Sequence, residues 1–366
     1  MYKGLIRPAL FQCLTADEAQ AFGRWWFRHP GLWTPLGRSF QISDERLQVN
    51  LAGLELKNPI GMAPGFDKDS EMLESFRTLG FGYAVPGSIQ LRPSADDNPP
   101  PRFQRLPELE SLVQCVRIPS KGVDYVSERL RGFRPRRGMK VVPVIENLTI
   151  EDSVEAFRRL QPLADGIEIS LRCPNEPGTR YESNFHDPDS FRALIAKINE
   201  VKTKPVFVKM RNYVSSQERD NRMELADLCV KNGVDGVTIS GTVIVDEPRI
   251  SAGRGILSGR AILSKAIGNV SELYRETQGK LCIKARGGVH SAVDAFEAIR
   301  AGASTVELLT GLIYEGPSVA QNILRGLVRL LDLWGYRDIS EVIGTAGHYR
   351  VAATVDLPTR HITIPA

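Results

Sequence analysis

The sequence lacks the features of a secreted or membrane-spanning protein. Its five cysteines are odd in number and form no CxxC pair, so they indicate neither a zinc site nor a disulfide framework, and a reducing compartment is expected. No stretch approaches the roughly 20 apolar residues of a membrane-spanning helix, and residues 1–28 lack the apolar core of a secretory signal. The net charge of +4, with 25% charged residues, gives no indication of nucleic-acid binding. We therefore expect no metal and no nucleic-acid partner.

Aromatic residues make up only 7% of the chain, yet three of the four tryptophans, Trp25, Trp26 and Trp33, fall within nine residues. Tryptophans beside arginines favour a short helical pair lying in a bilayer interface. The alternative is a helical pair packed on the floor of the domain that follows. We accordingly divide the chain into a helical, membrane-associated segment, residues 1–40, and one domain, residues 41–366. The expected location is cytoplasmic, with peripheral contact to the inner face of the cell membrane.

After residue 40, short apolar runs alternate with helix-like stretches. Residues 46–63 predict a β-hairpin with a turn at Ala52-Gly53 that leads into a buried strand. Eight β-strand and helix units follow, which favours an α/β fold, a closed (β/α)8 TIM barrel with a short N-terminal helical extension. Residues 89–125 are rich in proline and polar residues and predict a long functional loop over the barrel mouth.

Several residues lie where barrel enzymes place their chemistry, at the carboxyl ends of the strands. ARGG at 285–288 and LTGLIYEGP at 309–317 follow the last two strands, where backbone N–H groups typically bind phosphate. Lys209 ends an apolar strand and indicates either an anionic or electron-rich ligand or a structural ion pair. Lys68 is expected to bind a substrate carboxylate or a flavin edge, or to pair with Asp67. Cys173, in CPNEPG after a buried strand, is either an inert buried thiol or a catalytic group.

Long motifs along nearly the whole chain resemble the dihydroorotate dehydrogenases. They include NPIGMAPGFDKD, GFGYAVPGSIQLRPSADDNPPPRFQRL, CPNEPG, PVFVK, GVDGVTIS and GKLCIKARGGVHSAVDAFEAIRAGAS. The N-terminal RP-LF segment is similar to that of the membrane-associated, quinone-using class. The resemblance implies an FMN-bearing barrel that oxidises a small molecule, in which a base removes a proton from one ring carbon while hydride passes from the adjacent carbon to the flavin.

The resemblance also implies roles for individual residues. Cys173 stands at the position of the base, Arg105 matches an arginine between the flavin and the quinone tunnel, and quinone is the expected electron acceptor. The FMN phosphate is expected on Gly287, Gly288, Thr310 and Gly311. The flavin ring is expected against Ala63, Gly65, Ser88 and Lys209, with Ser240 and Gly259 nearby. The expected substrate-binding residues are Lys68, Gln114, Ser170, Asn175 and Thr242.

The chain departs from the family where asparagines hold the pyrimidine ring. Gln114, Pro143, Ser170 and Gly241 each stand where the family has Asn. A site that hydrogen-bonds a polar ring loses specificity steeply when its partners are absent. Three hypotheses follow: a dehydrogenase of dihydroorotate, a flavin enzyme acting on a different cyclic amide or unsaturated carbonyl compound, and a non-catalytic relative of the barrel.

Overall fold

The computed structural model describes residues 2–95, 98–133, 138–171, 185, 187–210, 212–213 and 215–347. The N-terminal segment is mostly helical: a π-helical turn at Tyr2–Ile6 leads into α1 (Arg7–Cys13), α2 (Ala16–Phe27) and the short α3 (Gly37–Phe40). A capping box formed by Thr15 and Glu18 starts α2, which satisfies two backbone N–H groups that the helix itself leaves unpaired. The sequence therefore sets the corner between α1 and α2.

Short strands recur through the rest of the described chain. In chain order they are β1 (Val49–Leu51), β2 (Leu54–Leu56), β3 (Ile60–Met62), β4 (Tyr83–Ala84), β5 (Phe103–Leu106), β6 (Ser111–Gln114), β7 (Lys140–Val141), β8 (Val144–Ile145), β9 (Ile167–Ser170), β10 (Val206–Met210), β11 (Gly236–Ser240), β12 (Val243–Asp246), β13 (Arg254–Gly259), β14 (Cys282–Arg286) and β15 (Thr305–Leu308).

Amphipathic helices alternate with the barrel strands and cover the outside of the sheet. They are α4 (Leu73–Thr78), α5 (Gly122–Phe133), α6 (Ile150–Leu160), α7 (Pro188–Asn199), α8 (Ser216–Lys231), α9 (Leu263–Glu276), α10 (Ala292–Arg300) and α12 (Val319–Trp334), while the short α11 (Thr310–Glu315) lies against the antiparallel strands at the mouth. Their apolar sides join the strands in one large buried cluster, so the same burial that orders each helix also holds the barrel together.

Nine of the described strands form one parallel sheet in the order β7-β4-β3-β15-β14-β11-β10-β9-β8. β7 and β8 are two halves of a single strand interrupted at Val142 and Pro143, and proline has no N–H to donate to a ladder. Val142 N donates to Ala84 O at 2.9 Å on one side, and Glu168 N donates to Pro143 O at 2.9 Å on the other. The interrupted strand thus closes the sheet, and the predicted (β/α)8 TIM barrel is confirmed.

The predicted hairpin lies at the amino ends of the barrel strands. β1 and β2 pair antiparallel, and the turn residues Ala52 and Gly53 have positive φ values of 52° and 84°, as a two-residue hairpin turn requires. Leu54 packs near Gly166, just before β9, where an added Cβ would lie 3.6 Å from Leu54 Cδ1. The hairpin therefore covers the floor of the barrel.

The expectation of a long loop at residues 89–125 is wrong. This segment contains β5 and β6, and α5 begins within it at Gly122. β5 and β6 belong to a four-stranded antiparallel sheet in the order β12-β13-β6-β5, which we call the mouth sheet. Its strands come from the connections that follow β4 and β11, so it stands over the carboxyl ends of the barrel strands.

Helices α1 and α2 pack against the mouth sheet and the loop after β3, whereas α3 ends beside Gly80, before β4, where an added Cβ would lie 2.7 Å from Phe40 O. Arg102 Nε lies 3.1 Å from Asp17 Oδ1, and the ring of Phe27 meets that of Phe66 edge-on with centroids 5.2 Å apart. Floor packing is therefore wrong for α2, and the membrane association of this segment stays a prediction. Trp25 remains 51% exposed.

Candidate active site

The residues predicted for the site surround the carboxyl ends of the barrel strands. Those that follow or end barrel strands are Ala63, Gly65, Lys68, Ser88, Ser170, Lys209, Ser240, Thr242, Gly287, Gly288, Thr310 and Gly311, whereas Gln114 and Gly259 lie on the mouth sheet. Cys173 and Asn175 lie outside the described residues. The fold therefore brings most of the predicted set to one end of the barrel, as parallel strands in a closed barrel require.

Lys209 stands half-buried near the end of β10. Its register partner on β9 is Ser170, a 2% exposed residue whose Oγ has no hydrogen-bond partner among the residues that the structure describes. Among the described residues, Lys209 Nζ makes no hydrogen bond and no ion pair. A partly desolvated ammonium beside an unpaired hydroxyl suits an electron-rich ligand, because both groups otherwise forgo the interactions they had in water.

Below this level, the barrel interior holds a fully buried ion cluster. Lys284 Nζ on β14 lies 2.5 Å from Glu168 Oε2 and 3.2 Å from Glu307 Oε1, and all three side chains are 0% exposed. Thr238 Oγ1 donates to Glu168, and Tyr83 OH donates to Glu307 Oε1 at 3.3 Å. One carboxylate oxygen of each glutamate stays without a hydrogen bond.

The pKa values of the two glutamates are shifted in opposite directions. Burial alone would raise the pKa of Glu168, but the charges of Lys284 and Lys209 lower it below its usual range. Burial raises the pKa of Glu307, and Lys284 offsets this only partly. Lys284 is itself disfavoured as an ammonium by burial, yet the two carboxylates raise its pKa. The cluster therefore stabilises the charged forms of Lys284 and Glu168, whereas burial disfavours the charged form of Glu307.

The wall of the mouth near β3 and β4 is formed mainly by backbone. Ala63 N donates to Leu308 O at 2.9 Å, and Gly65 N donates to Gly87 O at 3.0 Å. Ser88 Oγ donates to Glu146 Oε2 at 2.8 Å in a buried contact. These bonds fix the first two strand ends, where the side chains are small.

Two glycines after β14 allow a close approach between loops. Gly287 and Gly288 have φ values of 126° and 78°, and a Cβ on Gly288 would lie 2.6 Å from Leu263 Cα. Nearby, Thr310 Oγ1 lies 3.0 Å from Ser258 Oγ. Only glycine fits the backbone here without strain, so this stretch can present its peptide groups to an anion.

Gly241 has a packing reason that the sequence alone did not reveal. A Cβ at this position would lie 2.7 Å from both Ala266 N and Ile262 O. These atoms belong to backbone at the start of α9, which cannot yield as a flexible side chain would. An asparagine is therefore incompatible with this packing.

The remaining substrate-side residues already have internal partners. Lys68 Nζ donates to Arg117 O at 3.3 Å, and Gln114 Oε1 accepts from Val116 N at 2.7 Å. Asp67 accepts from the backbone of Glu71 and Met72 at 2.9 Å. Burial raises the pKa of Asp67 to about 6. Asp67 thus starts the turn before α4.

Thr242 is tied to the end of β11. Its N–H donates to Ser240 Oγ at 3.2 Å, and the two hydroxyl oxygens lie 3.1 Å apart. Gly259, which ends β13, pairs in register with Ser111 and has a φ of 100°. The first contact lies at the end of a barrel strand, and the second joins two strands of the mouth sheet.

Comparison with known proteins identifies the family to which this fold belongs. A sequence profile of the family described as "Dihydroorotate dehydrogenase" matches residues 46–331. The chain belongs to the dihydroorotate dehydrogenase family. A relative from Roseiflexus sp. (strain RS-1), named dihydroorotate dehydrogenase (quinone), is 31% identical over 93% of this chain and 97% of its own length. A relative of the same name from Trichodesmium erythraeum is 28% identical over 94% of this chain and 99% of its own length.

Solved structures of the same family agree with the fold. The crystal structure of the Eimeria tenella enzyme in complex with ferulenol superposes with a TM-score of 0.77 at 27% identity, covering 90% of this chain and 95% of that one. The ligand-free form of that enzyme gives a TM-score of 0.76. Membership of a barrel family was thus predicted correctly from the sequence motifs.

Arg105, on β5, faces the N-terminal helices. Its guanidinium carbon lies 4.6 Å from the ring centroid of Phe11, and its Nη2 donates to Leu14 O. The buried Nη1 has no hydrogen-bond partner. Among the described helices, none combines the length and the apolar character needed to cross a membrane.

Sequence reasoning missed two groups of residues. One is the Lys284 cluster, and the other comprises Glu110, His290 and Glu315, whose ligand atoms lie within 4.8 Å of one another. Burial and the charge of Arg260 lower the pKa of His290, which keeps the imidazole neutral. Neither group follows a local spacing rule, because each draws on three separate elements.

Proposed function

We propose that this chain is an FMN-dependent CH–CH oxidoreductase that oxidises dihydroorotate or a closely related ring and passes the electrons to quinone. The observation that carries this is Lys209, whose ammonium has no hydrogen-bond or ion-pair partner among the described residues at the mouth of a barrel of this family. An interior ion pair, the structural alternative for Lys209, is instead formed by Lys284.

The residues at the mouth fit FMN. The loop at Gly287 and Gly288 would hold the phosphate together with Thr310 and Gly311, since the glycine backbone leaves peptide N–H groups free of side-chain cover. The ring would rest on the small wall residues Ala63, Gly65 and Ser88, with Ser240 and Gly259 nearby and Lys209 beside its electron-rich edge. When bound, FMN supplies the acceptor for the hydride.

Cys173 is proposed as the base. Its thiolate would take the proton from one ring carbon of the substrate while hydride leaves the adjacent carbon, so that a carbon–carbon double bond forms. Lys68, Gln114, Ser170, Asn175 and Thr242 would hold the ring and its carboxylate. Cys173→Ser is expected to keep part of the flavin reduction rate, and Cys173→Ala to lose most of it; an Ala variant with the wild-type rate would exclude Cys173 from the mechanism.

Quinone access is proposed between α1, α2 and the mouth sheet. Arg105 lies against Phe11 there, and Phe22 and Trp25 are exposed on the same segment. Aromatic rings beside cations favour a bilayer interface, so peripheral contact with the inner face of the cell membrane is expected. Deleting residues 1–40 should release the protein from liposomes and depress quinone reduction while flavin reduction continues; unchanged partition would refute the membrane contact.

A second candidate substrate is a different cyclic amide or an unsaturated carbonyl compound. Two observations favour it: the backbone at α9 excludes any Cβ at Gly241, and the Gln114 carbonyl is already engaged by Val116 N. A pocket with fewer free amide groups would form fewer hydrogen bonds to the polar edges of a pyrimidine ring.

Anaerobic mixing of the yellow holoprotein with dihydroorotate tests the proposal. Bleaching of the flavin at millimolar substrate supports dihydroorotate, and bleaching only with another member of a panel of cyclic amides and enones supports the second candidate. A flavin that no member of the panel reduces, or a protein that binds no FMN, would leave the non-catalytic relative as the account of this chain.

A further inference from the structure

Three titratable side chains from separate elements meet beside the mouth sheet. Glu110 lies in the turn between β5 and β6, His290 in the loop between β14 and α10, and Glu315 at the end of α11. One ligand atom of each lies within 4.8 Å of the others. Metal–ligand distances near 2 Å place ligand atoms about 3–4 Å apart, so a small closing movement of these side chains would bring all three onto one ion.

His290 gives an independent reason to look for a ligand. The residue is 3% exposed, and within the described part of the chain neither ring nitrogen has a hydrogen-bond partner. Its Nδ1 lies 3.7 Å from Glu110 Oε2, which exceeds a hydrogen-bond distance. A buried imidazole without partners is unfavourable by about 1–3 kcal/mol, so His290 indicates a ligand that the described residues do not supply.

The surroundings hold the imidazole in place. The His290 N–H donates to Asp294 Oδ2 at 3.0 Å, and the ring stacks on that of Tyr314 with centroids 6.0 Å apart and planes 22° apart. Backbone and ring are therefore both positioned, while the two nitrogens remain available. Positioned ligands of this kind are what a metal site needs before the ion arrives.

We propose that Glu110, His290 and Glu315 bind one divalent transition-metal ion of the Zn²⁺ class, with water completing the coordination. One imidazole nitrogen and two carboxylates form a donor set that Zn²⁺ accepts, and the two negative charges balance the ion. The site borders the proposed phosphate position, because a Cβ at Gly311 would lie 3.4 Å from His290 Cδ2, but the inference does not depend on the proposed redox chemistry.

Cations of the chain compete for the same carboxylates. Arg260 Nε lies 2.7 Å from Glu110 Oε2, Lys3 Nζ lies 2.8 Å from Glu315 Oε1, and Arg7 Nη1 lies 3.9 Å from Glu110 Oε1. These contacts stabilise the acidic groups when no ion is bound. An ion must displace Arg260 or Lys3, so removing either cation should tighten binding. Since Lys3 belongs to the N-terminal segment, an ion that displaces Lys3 from Glu315 would also remove one contact that holds that segment.

The test uses the full-length holoprotein in a Cys13→Ser background, which removes an exposed thiol. After chelation and dialysis, Zn²⁺ is titrated against a chromophoric chelator, and Co²⁺ is added separately to read the ligand field. We expect one ion per chain. His290→Gln should weaken the affinity about 100-fold and Glu315→Gln about tenfold, while Arg260→Gln should strengthen it.

The matched control is His29→Gln, which changes an exposed histidine whose Nδ1 lies 2.6 Å from Trp25 O and should leave the affinity unchanged. Because Glu315 lies at a helix end, Glu315→Gln keeps the test valid if His290→Gln fails to fold. Equal Zn²⁺ affinity in the parent, His290→Gln and Glu315→Gln proteins, or no specific binding to the parent, would overturn the proposal.

Discussion

Two lysines inside the barrel have opposite surroundings although they share a neighbour. Lys209 on β10 and Lys284 on β14 are both register partners of Thr238 on β11. Because the strands of a barrel are tilted, residues paired in register on successive strands lie at different heights along the barrel axis. Lys284 is completely buried and meets two carboxylates, whereas Lys209 is half-buried nearer the mouth and makes no hydrogen bond or ion pair among the described residues.

This difference indicates that one lysine of the barrel interior, Lys284, serves stability and the other, Lys209, serves function. The ammonium of Lys284 is stabilised by the chain itself, so it holds three strands together and needs nothing more. The ammonium of Lys209 lacks such partners, which is the arrangement expected where an electron-rich ligand completes the contacts. Exchanging either lysine for methionine should therefore affect different measurements.

The largest effect is expected from Lys284→Met. It leaves Glu168 and Glu307 buried without their cation, which should lower the free energy of unfolding by about 3–5 kcal/mol. Chemical denaturation monitored by circular dichroism measures this loss. Replacing all three residues by apolar ones of similar volume should recover much of it, and a wild-type midpoint for Lys284→Met would contradict the structural role of the pair.

Lys209→Met should instead act on the flavin chemistry. Loss of one preorganised donor is expected to slow substrate-dependent flavin reduction about 100-fold, or about 3 kcal/mol, while the unfolding midpoint stays near wild type. Stopped-flow absorbance and denaturation of the same sample separate the two effects. Lys280→Met, which changes an exposed lysine, serves as the control. A Lys209→Met protein with lowered stability and a normal rate of flavin reduction would contradict the functional role of Lys209.

Glycines test the phosphate side of the mouth. Gly288→Ala places a Cβ 2.6 Å from Leu263 Cα at a φ of 78°, whereas Gly253→Ala, at a φ of 66°, meets nothing within 4 Å. Both lose about 1 kcal/mol from left-handed backbone, but only Gly288→Ala should also weaken FMN binding. Fluorescence titration with FMN measures this, and equal FMN affinity in both variants would contradict the assignment.

Asp67 should give the smallest net effect at neutral pH. Burial raises its folded-state pKa to about 6 from 3.8, so the folded protein holds the proton more tightly than the unfolded chain. The stabilisation from this group is complete below about pH 4 and is lost as the pH rises through 6. Asp67→Asn should remove this contribution, so that the free energy of unfolding depends less on pH between 4 and 6. An unchanged slope would contradict the shift.

The sequence predicted the elements whose signals are local. The hairpin at residues 49–56 was correct because turn residues and alternating burial lie within eight positions. The mouth sheet was missed because β6 pairs with β13, joining Gln114 to Ile256. No local pattern encodes such a distant register, and the prolines of residues 89–125 favoured a loop.

Prediction of the candidate site was likewise limited to features that have a local signal in the sequence. Positions at strand ends could be read from the alternation of strands and helices, and the family motifs gave their roles. The partners of Lys284 could not, since Glu168 and Glu307 come from strands far apart in sequence and read there as isolated polar residues. The packing of α9 against Gly241 was equally hidden, because it depends on backbone contacts across the barrel.

The most direct test of the central claim is a titration of the FMN-free protein with FMN, comparing wild type with Lys209→Met. The account predicts one FMN per wild-type chain and clearly weaker binding or altered flavin absorbance in Lys209→Met. A wild-type protein that binds no FMN, or a Lys209→Met protein with the wild-type affinity and spectrum, would contradict it.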